Sequence, residues 1–298
     1  MDRERPELNP RMDTREIVES LFDKLPEMAK HLIRNNLNSR EELNREYFKN
    51  PDDPLQHRPE YHQWGVITHT KMFDTYNQEE VPGYLQQWGV DEAVSVHMSE
   101  SIDGRSKKEL LEIAIPLHDL GKFSDRRIVR KPNKPMHFIH AGHEKTSGGI
   151  IRSEGFSQIL KRDYQLTDAQ IEYVARCAEL HYELAKVRDS AKNRPDGYSM
   201  AFVQTDDFKQ ASEKVMAGQP GFEPEMGLLY LGDSLAKTEI HLSAESDADI
   251  LSQEDDVKRM IEERGITTGL QAIRQLPVNV NAVREYLKLW NDKQQVVE

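Results

Sequence analysis

Ile113-Ala114-Ile115-Pro116-Leu117-His118-Asp119-Leu120-Gly121-Lys122 is an apolar helical run that ends in a His-Asp pair, a glycine and a lysine. Leu110, Ala114, Leu117 and Gly121 recur at helical spacing and share a face with His118. That spacing predicts an inward His118, and a buried imidazole needs a partner. A metal ion is one such partner, and Asp119 offers it a second ligand. With eleven histidines in 298 residues, about one His-Asp dipeptide arises by chance, so the pair takes its meaning from context.

The context lies on other helices. Upstream, Val66, His69 and Phe73 fall on one helical face, so His69 points inward as well. His62 precedes that helix and reads either as an ordinary loop histidine or as a group at the same mouth. Downstream, Lys122 to Pro135 carries six basic residues, among them Arg126, Arg127 and Arg130. Such a run is by default a solvated loop, yet its place directly after His118-Asp119 also suits contact with phosphate. His137, His140 and His143 follow, and the step Gly142-His143-Glu144 opens a helix, where a ligand or an anion contact is favoured.

A further amphipathic helix begins at Asp168, with Ile171, Val174, Ala178 and His181 on one face. Alone, His181 reads as a satisfied core histidine more readily than as a ligand. Met226, Leu229, Tyr230, Asp233, Ala236 and Ile240 form another stripe. A carboxylate within it must be paired or metal-bound. The histidines need an anionic companion, which favours ligation of Asp233 over a buried salt bridge.

The remaining segments read as packing elements. Ile17, Leu21 and Leu25 start a helix near Asp13, and Pro26 is expected to open a new one containing Met28, Leu32 and Ile33. Ser39 with Glu42 resembles a capping box for a helix ending near Phe48. Pro82-Gly83 and Asp103-Gly104 are turn signals, with short helices between them. His97 lies there and reads as structural. A polar loop is expected over 187–203, a helix over 205–217, an exposed acidic stretch over 244–256, and helices near 254–264 and 280–291. No segment reads as a convincing strand, so the expected fold class is all-α. The expected organisation is an N-terminal extension over 1–59, a core over 60–243 and a C-terminal extension over 244–298, packed as one unit.

Charge and composition narrow the function classes. The chain has 40 basic and 52 acidic residues, hence a net charge of −12, which excludes non-specific coating of nucleic acid. A small nucleotide in a local basic pocket remains compatible. The single cysteine, Cys177, excludes an intrachain disulfide framework and fits a reducing compartment. Residues 1–6 lack the apolar centre of a signal peptide, and no run of 18 apolar residues occurs. A cytoplasmic protein without a membrane span is expected, and homo-oligomerisation stays open.

In chain order the residues are His69, His118-Asp119, His143, His181 and Asp233. This resembles the HD superfamily of metal-dependent phosphohydrolases, whose pattern is H…HD…H…H…D on a helical core. The likeness covers roughly residues 60–240. Val66-x-x-His69-Thr70, His118-Asp119-Leu120-Gly121-Lys122 and Gly142-His143-Glu144 all match steps of that pattern. A Gly-Tyr-Pro signature near the third histidine is missing, which argues against the cyclic di-GMP phosphodiesterase branch.

The resemblance implies a helical HD bundle with added terminal helices and two divalent transition metals. Fe, Mn, Zn, Ni or Co suit the donors, with Mg an option at the second position. His69, His118, Asp119 and Asp233 would hold one ion, and His143 and His181 the other, with Asp119 bridging. The implied reaction is hydrolysis of a phosphomonoester or phosphodiester of a nucleotide-like substrate by a water that the metals acidify. Asp119 and Lys122 would be catalytic. Lys122, Arg126, Arg127, Arg130 and His140 would contact substrate. Two other readings stay open: a mixed-valent di-iron oxygenase with the same ligand pattern, and a catalytically silent nucleotide-binding module.

Overall fold

The computed structural model describes residues 11–36, 50–129 and 137–295. Helices dominate it, and the fold is all-α. Helix α1 (Thr14–Arg34) is capped by the Asp13 carboxylate, which accepts from Arg15 N at 2.8 Å. Pro26 lies inside α1 and does not open a new helix. The apolar face of Ile17, Leu21, Leu25, Ala29 and Ile33 continues past it and holds both halves against the core. The Ser39–Glu42 capping box and Phe48 lie outside the described residues.

Helices α2 (Val66–Glu79), α3 (Val81–Trp88) and α4 (Asp91–Ser99) follow. Pro82 sits in the first turn of α3 rather than in a loop, where its missing N–H costs nothing. Strands β1 (Ser101–Ile102) and β2 (Arg105–Ser106) form a small hairpin around Asp103-Gly104, both at positive φ. Helix α5 (Lys107–Ala114) opens on a capping box between Ser106 and Glu109.

The helix around the His-Asp pair is not continuous. At Pro116, which lacks an N–H for the helical ladder, α5 passes into a 3₁₀ turn over Ile115–Leu117. His118-Asp119-Leu120 form a turn, and α6 (Gly121–Ser124) restarts after it. Part of the basic run then forms an antiparallel hairpin, β3 (Arg127–Val129) with β4 (His137–Ile139). Among the described residues the two hairpins are the only sheets.

Helices α7 (His143–Arg152), α8 (Glu154–Tyr164) and α9 (Asp168–Leu180) pack as a layer, α9 opening on a Thr167–Gln170 capping box. Short helices α10 (Val187–Ser190) and α11 (Met200–Val203) break up the stretch read as a polar loop. Then come α12 (Asp206–Gly218), α13 (Glu223–Leu235), α14 (Asp247–Ser252), α15 (Glu254–Arg264) and α16 (Leu270–Gln295). Helix α16 starts ten residues before the expected 280 and contains Pro277. One apolar cluster runs from Ile17 of α1 to Trp290 of α16, and Ile240, Val257, Ile266 and Ile273 form a small satellite. No described helix is long and apolar enough to cross a membrane.

Two glycines set how closely the site-bearing helices approach. A Cβ on Gly121 would strike the His143 carbonyl and the Ser147 backbone nitrogen, so α6 meets α7 backbone to backbone. The Gly121 N–H donates to Ser147 Oγ at 2.8 Å, and Ser147 Oγ donates to the His143 carbonyl at 2.9 Å. A Cβ on Gly232 of α13 would overlap the Phe73 ring of α2. That approach brings Asp233 beside His69.

Candidate metal centre

Five elements deliver the titratable side chains to one place. His69 is on the second turn of α2, and His118 and Asp119 occupy the turn before α6. His143 is the first residue of α7, after Gly142 at φ 84°. His181 ends α9, and Asp233 is in the last turn of α13. All of them are buried, His143 at 9% exposure being the most open.

Asp119 is the hub. Its Oδ2 lies 3.2 Å from His118 Nε2 and 3.8 Å from His69 Nε2. Its Oδ1 lies 3.3 Å from His143 Nε2 and 3.6 Å from His181 Nε2. The two oxygens therefore address two different imidazole pairs. Donor atoms of His69, His118 and Asp119 lie within 4.8 Å of one another, as do those of Asp119, His143 and His181. Asp233 joins neither group. It pairs with His69 Nε2 at 3.0 Å and with Lys237 Nζ at 2.5 Å.

The outer nitrogens fix the inner ones. His118 Nδ1 lies 2.7 Å from the Ile115 carbonyl, His143 Nδ1 2.7 Å from the His140 carbonyl, and His181 Nδ1 2.7 Å from the Ala178 carbonyl. His69 Nδ1 lies 3.1 Å from the Ala236 carbonyl. A carbonyl only accepts, so each Nδ1 carries the hydrogen. In the neutral rings of His118, His143 and His181, Nε2 is then a bare lone pair aimed at Asp119, the orientation a metal ligand needs, whereas His69 Nε2 lies within hydrogen-bond reach of Asp233 Oδ1 at 3.0 Å.

Three atoms at the centre stay without a hydrogen bond although buried: His118 Nε2, His143 Nε2 and Asp119 Oδ1. Orphaned polar atoms are costly in a protein interior, and several facing one point fit a cation. The donor set of imidazole and carboxylate without thiolate suits a divalent transition metal. The buried His/Asp groups thus fit a metal ion.

The electrostatics agree with that donor set. Burial lowers the His69 pKa, against the pull of Asp233, and pushes His181 down to about 3. Desolvation opposes ionisation of Asp119, yet His118 and Lys122 outweigh it and hold the carboxyl well below its ordinary range. At Asp233 desolvation is likewise outweighed, by Lys237 and His69.

A cavity of about 510 Å³ opens onto the centre, with His143, His181 and Asp233 in its wall. Lys122 Nζ reaches it while donating to Asp119 Oδ2 at 2.7 Å and to His57 Nε2 at 3.0 Å. The His57 ring stacks on His62 at 3.8 Å, and its Nδ1 lies 3.0 Å from the Trp64 carbonyl. Burial, then the Lys122 charge, pushes His57 well below its ordinary pKa, and burial does the same to His62. Both rings are neutral lone-pair carriers at neutral pH.

The other residues singled out in the sequence are placed as follows. His140 lines the cavity, its Nδ1 3.2 Å from the Lys122 carbonyl. Arg126 is 1% exposed, donates to Gln56 Oε1 at 3.0 Å and lies over the Phe138 ring; it is not in the cavity wall. Arg127 is exposed on β3 and also lies outside that wall. Arg130 lies outside the described residues. His97 belongs to a separate network with Glu225 and Lys107, away from the centre.

His57, Arg58, Tyr61, Tyr182 and Arg188 line the cavity and show no periodicity or motif in the sequence. His57 lies in a proline-rich loop without periodicity. Lys237 also lines the cavity, and its place one helical turn after Asp233 is the signal that could have found it. No protein-family model, curated protein or solved structure matches this chain.

Proposed function

We propose that this protein is a metal-dependent phosphoester hydrolase acting on a small, nucleotide-like substrate. The observation that carries this reading is the Asp119 carboxylate, whose two oxygens address separate imidazole pairs. His69, His118 and Asp119, supported by Asp233, would hold one ion, and Asp119, His143 and His181 the other. When bound, such ions lower the pKa of water toward neutrality and take up charge on phosphoryl oxygens.

The chain's own residues supply the rest. Lys122 locks Asp119 by a charge-assisted bond and carries a cation to the cavity wall, where a phosphate oxygen would sit. His57 keeps that ammonium in place by accepting from it. Lys237 steadies Asp233, which in turn orients His69. A cavity near 510 Å³ is the size of a small-molecule site.

The test is metal content and turnover on one sample. Protein purified without added metal or chelator is assayed by elemental analysis, then on a phosphoester panel with Mn, Fe, Ni, Co and Mg. The proposal expects hydrolysis that chelation abolishes and a divalent ion restores. Oxygen consumption with iron and no phosphate release would replace it with the oxygenase reading. Nucleotide binding without turnover under every metal would replace it with the binding module.

A further inference from the structure

The cavity wall holds two arginines that the metal centre does not use. In a chain with 52 acidic against 40 basic residues, an arginine readily finds a carboxylate. Arg15 pairs with Asp74, Arg152 with Glu172 and Glu179, and Arg194 with Asp196 and Asp207. Arg58 and Arg188 both line the cavity, and among the described residues neither forms an ion pair with a carboxylate. The other lysines and arginines of the wall among the described residues, Lys122 and Lys237, are already matched to Asp119 and Asp233. Among the described residues, Glu144 is the one wall carboxylate not engaged by a lysine, and it lies 3.5 Å from His143 Nδ1.

Both arginines are held in place without being neutralised. Arg188 donates from Nε to the Ala185 carbonyl at 3.3 Å and from Nη2 to the Tyr182 hydroxyl. Its guanidinium lies 5.2 Å from the Tyr182 ring centre and 5.8 Å from that of Tyr198. Tyr182 follows His181 directly, so the fork is anchored next to the candidate ligand. Arg58 sits over the Tyr61 ring at 4.9 Å. Its φ is 51°, a conformation that residues with a Cβ rarely adopt and that concentrates at functional sites. The Arg58 carbonyl closes the turn by accepting from Tyr61 N at 2.8 Å and His62 N at 3.2 Å. The strained turn thus sets Arg58, Tyr61 and His62 on the same cavity.

A planar guanidinium braced on an aromatic face keeps its N–H edge for an oxyanion, and ordering it in advance lowers the cost of binding. We propose that Arg58 and Arg188 form a second anion subsite in the cavity wall, and that the preferred substrates carry a second phosphate besides the one hydrolysed. The second half of this rests on the phosphoester-hydrolase reading; the subsite itself does not.

Adenosine 5′-monophosphate and adenosine 3′,5′-bisphosphate are the probes, and the full chain is used. Affinity is measured by calorimetry on chelator-treated and manganese-loaded protein, and phosphate release on the loaded protein. The bisphosphate should bind at least about tenfold more tightly than the monophosphate, as expected for one or more charge-assisted contacts. Arg58→Ala with Arg188→Gln should bring the two to near equality, raising KM for the bisphosphate with little change in kcat. Arg58→Ala alone, at an exposed loop position, should remove roughly threefold of the preference or more, so the test survives a double variant that does not fold. Equal binding of the two probes, or a preference that both variants leave intact, overturns the subsite. Equal phosphate release from both probes with no preference in affinity does so too, while leaving the hydrolase reading standing. An arginine-dependent preference without any phosphate release keeps the subsite and removes the hydrolase reading.

Discussion

The backbone of Gly121 lies against the carbonyl of His143 with no room for a side chain between them. This contact joins the turn that carries His118 and Asp119 to the helix that starts with His143. It explains in steric terms why a glycine stands two residues after Asp119. Gly121→Ala is expected to destabilise the fold by about 2–4 kcal/mol, because backbone rather than a flexible side chain must yield. It should also widen the Asp119–His143 spacing and lower metal content. Denaturant unfolding and elemental analysis of the same preparation check both, and an alanine variant with unchanged stability and metal content would refute the account.

Metal stoichiometry should follow the two faces of Asp119. The wild-type chain is expected to bind about two transition-metal equivalents, and His181→Ala about one. Asp119→Asn should lower both occupancies, since each imidazole pair shares that carboxylate. Loss of a ligand should cost at least the roughly 10–100-fold in affinity seen for outer-shell partners. Equal metal content in wild type and His181→Ala would remove His181 from the ligand set.

Acid should unfold the metal-free protein early. His57, His62 and His181 are held neutral by burial, with pKa values below the ordinary 6.5, and His181 at about 3. As pH falls below 6.5 the unfolded chain takes up these protons and the folded chain does not. Stability is therefore complete above that pH and falls as pH drops, for His181 by about 1.4 kcal/mol per pH unit down to about 3, with His57 and His62 acting in the same direction. Protons and metal compete for the same lone pairs at His181, so bound metal should move the acid transition to lower pH. Denaturant melts between pH 7 and 4 measure the slope, which His62→Gln should make shallower.

A second buried cluster lies apart from the centre. Glu225, 0% exposed on α13, accepts from Tyr173 at 2.8 Å and from His97 Nε2 at 3.0 Å, with Lys107 Nζ 3.9 Å away. Truncating His97 to alanine leaves the carboxylate under-satisfied, at an expected cost of about 1–3 kcal/mol. Metal content should not change, because none of these groups belongs to the centre. A drop in metal occupancy matching the loss of stability would contradict that separation.

Much of the helical fold was legible because its signals are local. Ile17, Leu21 and Leu25 repeat at helical spacing, and so do Ile171, Val174 and Ala178 of the helix that begins at Asp168. The break at Pro116 escaped the reading because the apolar face continues across it while the ladder does not. At the site, His69, His118, Asp119, His143 and His181 were found by the same inward periodicity or helix-start logic, and they come within mutual reach. His57 escaped because its meaning depends on Lys122, 65 residues later, and a proline-rich loop shows no face. The cavity arginines were sought in the basic run after Lys122. Arg58 and Arg188 line it instead, from segments where a single arginine has no pattern to stand out against.

Three imidazoles at the centre, His118, His143 and His181, are each steadied by the carbonyl three residues earlier in their own turn. The aim of each ring is thus inherited from its own few residues and travels with them. Drift among the surrounding apolar side chains should be tolerated, provided volume is kept. Insertion or deletion of one residue within 115–118, 140–143 or 178–181 should swing the ring out of line. The site is robust to repacking and brittle to changes in length, and a library that varies the two separately would recover function almost entirely from the first.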